Sequence, residues 1–474
     1  MSMPVLSADQ VSFAYPQEQR GLSSASFEIE AGQGILISGL SGSGKSTLAR
    51  CLSGLIPHLY RGEMQGQVRI NQLRTDQLQL WQLSEQAGLV FQNPAFQMLA
   101  PTVEEEILFG LENLGLPRVI MKDRLEQALT RFNLQDFRSR SPHTLSGGEQ
   151  QKLALASITA RQPKILILDE PLSMLDSTSA IEFVADIEKQ LADGLALVIC
   201  EHREKYVDHL PDLKRLKLNS VSVTKTGSEA PLQAYPQKND PFSLEIHDLS
   251  VNKQGNQILS HVNLTIPSGK VIALVGRNGT GKTTLFRAIA GFQHHNGMIR
   301  VKKGNEETPA QFNMIFQNPD TQLFNPTVQE EILYKIFSPD RDFFHWILEA
   351  LNLTRYKNTP PLLLSEGEKR RVALATALMH RPKHGILLDE PSLGQDSSHK
   401  RILINLCKKL AASGLIVFLS THDLELAAQT DQLILLGSEG IIRYGHTADV
   451  WQDAAGWEKT GLVHPVWMET PCSD

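Results

Sequence analysis

GILISGLSGSGKST, residues 34–47, and VIALVGRNGTGKTT, residues 271–284, decide how this chain is read. Each opens as a short, partly β-branched apolar run, enters a glycine-rich turn and continues into helical spacing, TLARCLSGL in one and TLFRAIAG in the other. Both fit GxxxxGK[ST], through Gly39, Gly44, Lys45 and Ser46 and through Gly276, Gly281, Lys282 and Thr283. Glycines let backbone N–H groups wrap a phosphate, and the following helix adds the positive end of its dipole. The lysine reaches the β and γ oxygens and the hydroxyl ligates Mg²⁺. Candidate ATP-binding residues are therefore Gly39, Ser41, Gly42, Ser43, Gly44, Lys45, Ser46 and Thr47, with Gly276, Arg277, Asn278, Gly279, Thr280, Gly281, Lys282, Thr283 and Thr284.

The repetition extends outward from these turns. FQNPAFQMLAPTVEEEIL begins at Phe91 and FQNPDTQLFNPTVQEEIL at Phe316; ILILDEP at Ile165 is matched by GILLDEP at Gly385, and EHR at Glu201 by THD at Thr421. One module is written twice. Lys45 to Gln92 spans 47 positions and Lys282 to Gln317 only 35, so the second copy is shorter by about a dozen residues there. The distances from Asp169 to His202 and from Asp389 to His422 are both 33. The polar, proline-dotted stretch 219–241 has no periodicity and reads as a linker, placing the modules at 1–218 and 242–474.

The apolar runs before Asp169 and Asp389 suit strands buried on both faces, which predicts an α/β fold with a largely parallel sheet. At those strand ends Asp169 and Asp389 are candidate Mg²⁺ ligands, while Glu170 and Glu390 are candidate groups to orient or deprotonate the attacking water. His202 and His422 end another apolar run at the same edge and can sense a γ-phosphate. Gln92 and Gln317 can bridge metal, water and a mobile segment. Each residue alone would more often be a solvated strand end or a polar loop residue; the shared spacing to a P-loop favours chemistry.

The chain has 474 residues, 41% apolar and 21% charged, with a net charge of -6 and a pI near 6.2. That balance argues against bulk attraction to nucleic acid or anionic lipid. The N-terminus lacks the pattern of a secretory leader, and no run approaches the roughly 18–20 apolar residues that span a bilayer. Cys51, Cys200, Cys407 and Cys472 have no metal-ligand spacing and are expected to be reduced thiols. A cytosolic chain, held at a membrane only by a partner, is the expectation.

Taken together, the P-loops, the FQNP glutamine loops, LSGGE at Leu145 and LSEGE at Leu364, the DEP strand ends, an aspartate six residues beyond each glutamate (Asp176 and Asp396) and the terminal histidines resemble the ABC ATPases. The resemblance covers nearly the whole chain. It implies tandem P-loop NTPase domains, each with a sheet core and a helical subdomain, ATP and Mg²⁺ as ligands, and ATP hydrolysis. It also implies head-to-tail pairing of the domains within one chain, so that the first P-loop meets Ser365 and Gly367 and the second meets Ser146 and Gly148. A serine hydroxyl with helix N-terminal amides makes a second anion cradle. The QNPAFQ and QNPDTQ loops and EHRE are similar to those of energy-coupling factor transporter ATPases. That branch implies bacterial import of a vitamin or transition-metal ion, location on the cytoplasmic side of the membrane, and two partners: a transmembrane scaffold protein (T-component-like), whose coupling helices would meet residues 95–99 and 320–324, and a substrate-binding membrane protein. The alternatives are a tandem ATPase of a sugar or nucleoside importer and a soluble ribosome-acting ABC factor. The short irregular linker and acidic balance speak against the latter.

Two departures mark the copies. Tyr15 stands where the family places an aromatic ring on adenine, a contact worth roughly 1–3 kcal/mol by analogy with base stacking; alignment puts Lys253 there in the second copy, where solvent exposure is expected. The second signature carries Glu366 in place of Gly147. Aimed at a phosphate about 6 Å away, that carboxylate would cost roughly 3 kcal/mol at an effective dielectric near 20. Turned to Lys369, Arg370 or solvent, it would cost far less. The expectation is two competent but unequal sites.

Overall fold

The computed structural model describes residues 3–16, 21–40, 42–202, 204–218, 240–253, 255–393 and 397–464. The chain divides into two compact units, Met1–Thr226 and Gly227–Asp474. Of the expected linker, all but Asp240 and Pro241 lies outside the described residues.

The core of the first unit is a sheet in the order Ala87–Val90, Ile165–Asp169, Ala196–Cys200, Gly34–Ser38, Leu213–Lys217, with every pair parallel. Ile165–Asp169 and Ala196–Cys200 are buried at every residue, which is what their unbroken apolar runs require. Because the strands run one way, their carboxyl ends share an edge. The register Ile37↔Cys200 and Asp169↔Cys200 brings the P-loop, the acid pair and His202 to that edge.

An antiparallel sheet in the order Gly21–Ile29, Leu6–Ala14, Glu63–Ile70, Leu73–Arg74 lies outside what the apolar runs announced. Its strands alternate buried and open positions, and Leu6, Val11 and Phe13 join the core that also holds Leu48 and Leu52 of the helix Lys45–Leu52. Helices Val103–Glu112, Arg118–Arg131 and Gly147–Ala160 bury a further core including Ile107, Leu111, Leu129 and Leu153.

The second unit repeats this plan. Its main sheet runs Phe312–Ile315, Gly385–Asp389, Ile416–Ser420, Val271–Val275, Gln432–Gly437, Gly440–His446, parallel except for the last hairpin. Its antiparallel sheet is Asn256–Pro267, Ser243–Lys253, Asn296–Lys303, Glu306–Pro309, and Glu366–Met379 leads its helical part. The length difference between the copies falls in two places, the first being the short helical turn Leu55–His58 after the P-loop helix, which has no counterpart among the described residues of the second unit. The first unit inserts the helix Leu80–Gln86 before Ala87–Val90, whereas only Ala310 and Gln311 separate Glu306–Pro309 from Phe312–Ile315. Cys51, Cys200 and Cys407 are buried free thiols; Cys472 lies outside the described residues. Among the described residues no helix is long and apolar enough to cross a membrane.

Candidate active sites

Gly44 and Gly281 precede the P-loop helices in left-handed conformations, φ 96° and 99°. A Cβ on Gly44 would sit 2.7 Å from the Gly21 carbonyl oxygen, and one on Gly281 2.9 Å from Leu259 Cδ2, so only glycine closes these turns. Lys45 Nζ donates to the carbonyls of Gly39 (3.0 Å) and Leu40 (3.3 Å), and Lys282 Nζ to those of Gly276 (2.7 Å) and Arg277 (3.0 Å). Each buried ammonium is thus held over its own loop by neutral oxygens. Exchanging these for phosphate oxygens yields the stronger charge-assisted bond. Ser41 lies outside the described residues.

Behind the loops stand the acids. Burial pushes the Asp169 carboxyl up to about 6, with Glu170 adding to the effect and the Ser46 hydroxyl, which hydrogen-bonds it, opposing. Its Oδ1 is buried with no partner among the described residues. An orphan carboxylate oxygen next to a P-loop hydroxyl is a hard-oxygen donor set that fits Mg²⁺. Asp389 is also raised by burial, against the hydrogen bonds from Ser420 (2.5 Å, to Oδ1) and Thr283 (2.7 Å, to Oδ2). The pairing of Thr283 with Asp389 is the same hard-oxygen set. When bound there, Mg²⁺ would neutralise charge on the phosphates.

Glu170 and Glu390 share a left-handed backbone, φ 51° and 50°, a strained conformation for a non-glycine residue that turns the carboxylate off the strand end. The Gln92 amide donates to Glu170 Oε2 at 2.7 Å, while His202 Nε2 lies 3.1 Å from Oε1 without hydrogen-bond alignment. His422 Nδ1 lies 2.8 Å from Glu390 Oε2, and its N–H donates there at 3.2 Å. Burial opposes ionisation of Glu390, but the charge and hydrogen bonds of His422, with Lys282, outweigh it and lower its pKa. Gln92, Glu170 and His202 are therefore brought together, as are Glu390 and His422. Gln92 spends its amide on Glu170, and Gln317, half-buried at the matching place, accepts from Arg370 through its carbonyl at 3.3 Å.

Both signature serines cap helices. Ser146 and Ser365 close capping boxes with Glu149 and Glu368, their hydroxyls donating at 2.9 and 2.8 Å, while Gly148 and Gly367 follow in the first turn. Glu366 turns to Lys369 (3.3 Å), which also meets Asp320 of the glutamine loop at 2.8 Å. Burial works against that ammonium, but the two carboxylates raise its pKa on balance. Tyr15 is half-buried with its ring edge-on to Phe13, and its hydroxyl accepts from Arg50 at 3.0 Å and lies 3.4 Å from Thr47 Oγ1. Lys253 is exposed at its strand end. Asp176 caps the helix Ser177–Ala192 by accepting from the Ser179 N–H at 2.8 Å; Asp396 lies outside the described residues.

Four residues that hold the segments after the glutamines escaped the sequence reading. Glu106 Oε2 accepts from the N–H groups of Leu99 and Ala100, both at 2.8 Å, and Glu331 Oε2 from those of Phe324 and Asn325 at 2.9 and 2.8 Å. Gln97 and Gln322 close the same loops by accepting from the N–H groups of Phe91 and Phe316, each at 2.9 Å. The surviving signal was the second glutamine of QNPxxQ and the last acid of EEEIL and QEEIL.

In each unit a mainly parallel sheet whose strands end in a P-loop, an Asp–Glu pair and a histidine defines a P-loop nucleoside triphosphatase. The family model of the ABC transporter matches residues 22–173 and 259–393, more than half of the chain, and the chain belongs to that family as a tandem ABC ATPase. A Bacillus subtilis (strain 168) protein named "Putative HMP/thiamine import ATP-binding protein YkoD" is 31% identical, over 98% of this chain and 95% of its own length. A "Putative ABC transporter ATP-binding protein" of Treponema denticola is 32% identical over 91% of this chain and 95% of its own. A solved complex of the archaeal ribosomal stalk protein aP1 with the ribosome recycling factor aABCE1 superposes with TM-score 0.60 over 93% of this chain and 90% of that one, at 19% identity, a likeness of fold alone.

Proposed function

We propose that this chain is the ATP-hydrolysing subunit of a membrane importer of the energy-coupling factor kind, carrying a vitamin or a transition-metal ion. The observation that carries the reading is the segment after each glutamine. Phe96 (67% exposed), Leu99 (72%) and Phe324 (65%) present apolar side chains to solvent, while Gln97 with Glu106 and Gln322 with Glu331 pin the backbone beneath them. Exposed apolar groups on a rigid base suit an interface. In the first unit a groove of about 410 Å³, lined by Trp81, Leu99, Phe109 and Ile158 among others, opens beside them. Its occupant is a cytoplasmic helix of a transmembrane scaffold protein, a reading in keeping with the name of the Bacillus relative, an import ATP-binding protein.

In this reading Lys45 and Lys282 hold the β and γ phosphates, and Ser46 with Asp169 and Thr283 with Asp389 hold Mg²⁺. Glu170 and Glu390 orient and deprotonate water, and His202 and His422 register the γ-phosphate. Each nucleotide is completed by the signature serine of the other domain, Ser365 or Ser146. Movement of the partner helix reaches hydrolysis through Gln92, whose amide already grips Glu170. The test is detergent co-purification. The reading expects an integral membrane protein in stable ratio, lost on Phe96→Asp with Phe324→Asp; ribosomes without a membrane protein would overturn it.

A further inference from the structure

The two buried aspartates face different residues on the neighbouring strand. In register, Asp169 lies opposite Cys200 and Asp389 opposite Ser420. The Ser420 hydroxyl donates to Asp389 Oδ1 while Thr283 donates to Oδ2, so both oxygens of that carboxylate are held. Cys200 directs its thiol to the Lys45 carbonyl at 3.8 Å, and Asp169 Oδ1 keeps no partner among the described residues. A P-loop lysine, a P-loop hydroxyl and an adjacent glutamate stand beside both; the charge of Arg50 also acts on Asp169, without a hydrogen bond to its Oδ1. A thiol is a weak donor beside a hydroxyl, so the serine-for-cysteine difference is the difference between an anchored and an unanchored carboxylate.

We propose that Cys200 and Ser420 are positioning residues that set the divalent-cation dependence of nucleotide binding, strong at the P-loop of residues 34–47 and weak at that of residues 271–284. A buried carboxylate oxygen without a donor gains fully when a cation or its bound water arrives, whereas one already holding a hydroxyl gains less. Neither residue lies in the partner-facing segments, so the bias belongs to the chain itself and does not depend on the importer reading.

The test uses the full chain with one P-loop disabled at a time: Lys282→Ala leaves the first site, and Lys45→Ala leaves the second. A fluorescent, non-hydrolysable ATP analogue is titrated with Mg²⁺ and again with EDTA, and the ratio of the two Kd values is read. The ratio should be roughly tenfold larger at the first site, the factor that one hydrogen bond's free energy supports. Cys200→Ser should lower the first ratio toward the second, and Ser420→Cys or Ser420→Ala should raise the second. If either exchange at the strand end perturbs folding, seen as lost cooperative melting, the reciprocal exchange in the other unit still decides. Mn²⁺ held with nucleotide, counted by its paramagnetic resonance, should rank the variants in the same order. Ratios within about twofold of each other, unmoved by the exchanges, would overturn the proposal.

Discussion

In the first unit Glu170 is approached from two sides, by the Gln92 amide at 2.7 Å and by His202 Nε2 at 3.1 Å; in the second, Glu390 is gripped by His422 alone among these, through its side chain and its own N–H. The backbone beneath is the same in both, down to the left-handed glutamate at φ 51° and 50°. What separates the units is the partner each charge has found. Sheet order and turn geometry are dictated by rules that tolerate few residues, so a duplicated module keeps them. Side-chain partners are exchanged at lower cost, and unequal sites follow.

The strongest way to break that comparison is to remove the two glutamates in turn. In the assembled complex, Glu170→Gln and Glu390→Gln should each cut steady-state ATPase by at least tenfold, and the double variant by more than about a hundredfold, the usual reach of a general base. Full activity in either single variant would show that the site concerned contributes nothing.

The segments after the two glutamines, proposed to meet a partner, should respond alike, because they are built alike. Glu106→Ala strands the N–H groups of Leu99 and Ala100, and Glu331→Ala those of Phe324 and Asn325. Each change should cost roughly 1 kcal/mol, because the stranded donors are only partly shielded from water and can recover part of the loss by hydration. Denaturant unfolding checks this, and a much smaller loss in one unit would show that its segment is held by something else.

Those glutamates also show where the sequence ran out. The P-loops and the acids at strand ends were legible because each follows from local rules, a glycine-rich turn and an unbroken apolar run, whereas the signature serines were picked out by family resemblance and their capping boxes came only with the fold. Glu106 reads as one more acid on an acidic helix start, and only the fold shows it turned inward beneath Leu99. The antiparallel sheets were missed because half-buried strands alternate and leave no continuous run. The dozen extra residues of the first copy could be located but not shaped; part of them accounts for the helix Leu80–Gln86 that brings Trp81 to the groove. Cys200 and Ser420 gained meaning only from strand register.

Glu366 sharpens the comparison further. In the second unit Asp320, Lys369 and Glu366 form a charged trio; the matching residues of the first, Ala95, Gln150 and Gly147, carry no charge at all. Lys369 holds Glu366 at 3.3 Å, so under the proposed function it would restrain that carboxylate from turning toward a phosphate. Lys369→Gln should therefore lower ATPase of the complex by about five- to tenfold, the order of the repulsion from a freed carboxylate in a partly screened site. Glu366→Gly together with Lys369→Gln should recover most of it. Failure of the second change to rescue the first would mean that Lys369 acts through Asp320 and the glutamine loop instead.

The smallest expected difference lies away from the nucleotide. Before the acid-bearing strand the first unit has Lys164 and the second His384, which is only 6% exposed, packs against the rings of Phe242 and Phe312, and accepts the Gln311 N–H through Nδ1 at 3.1 Å. Burial, with Lys383 nearby, lowers its pKa below the ordinary histidine value. A depressed folded-state pKa means that the neutral ring stabilises the unit above about pH 6.5, the unfolded value, and that this stability is lost as pH falls through the lower folded value. Protonation also removes the Nδ1 acceptor. Between pH 7.5 and 5.5 the second unit should lose on the order of 1 kcal/mol that His384→Gln does not lose, because an amide can accept the same N–H without titrating. Thermal unfolding of the two proteins at both pH values measures it. An equal loss in both would place the acid sensitivity elsewhere, and the two units would then share it.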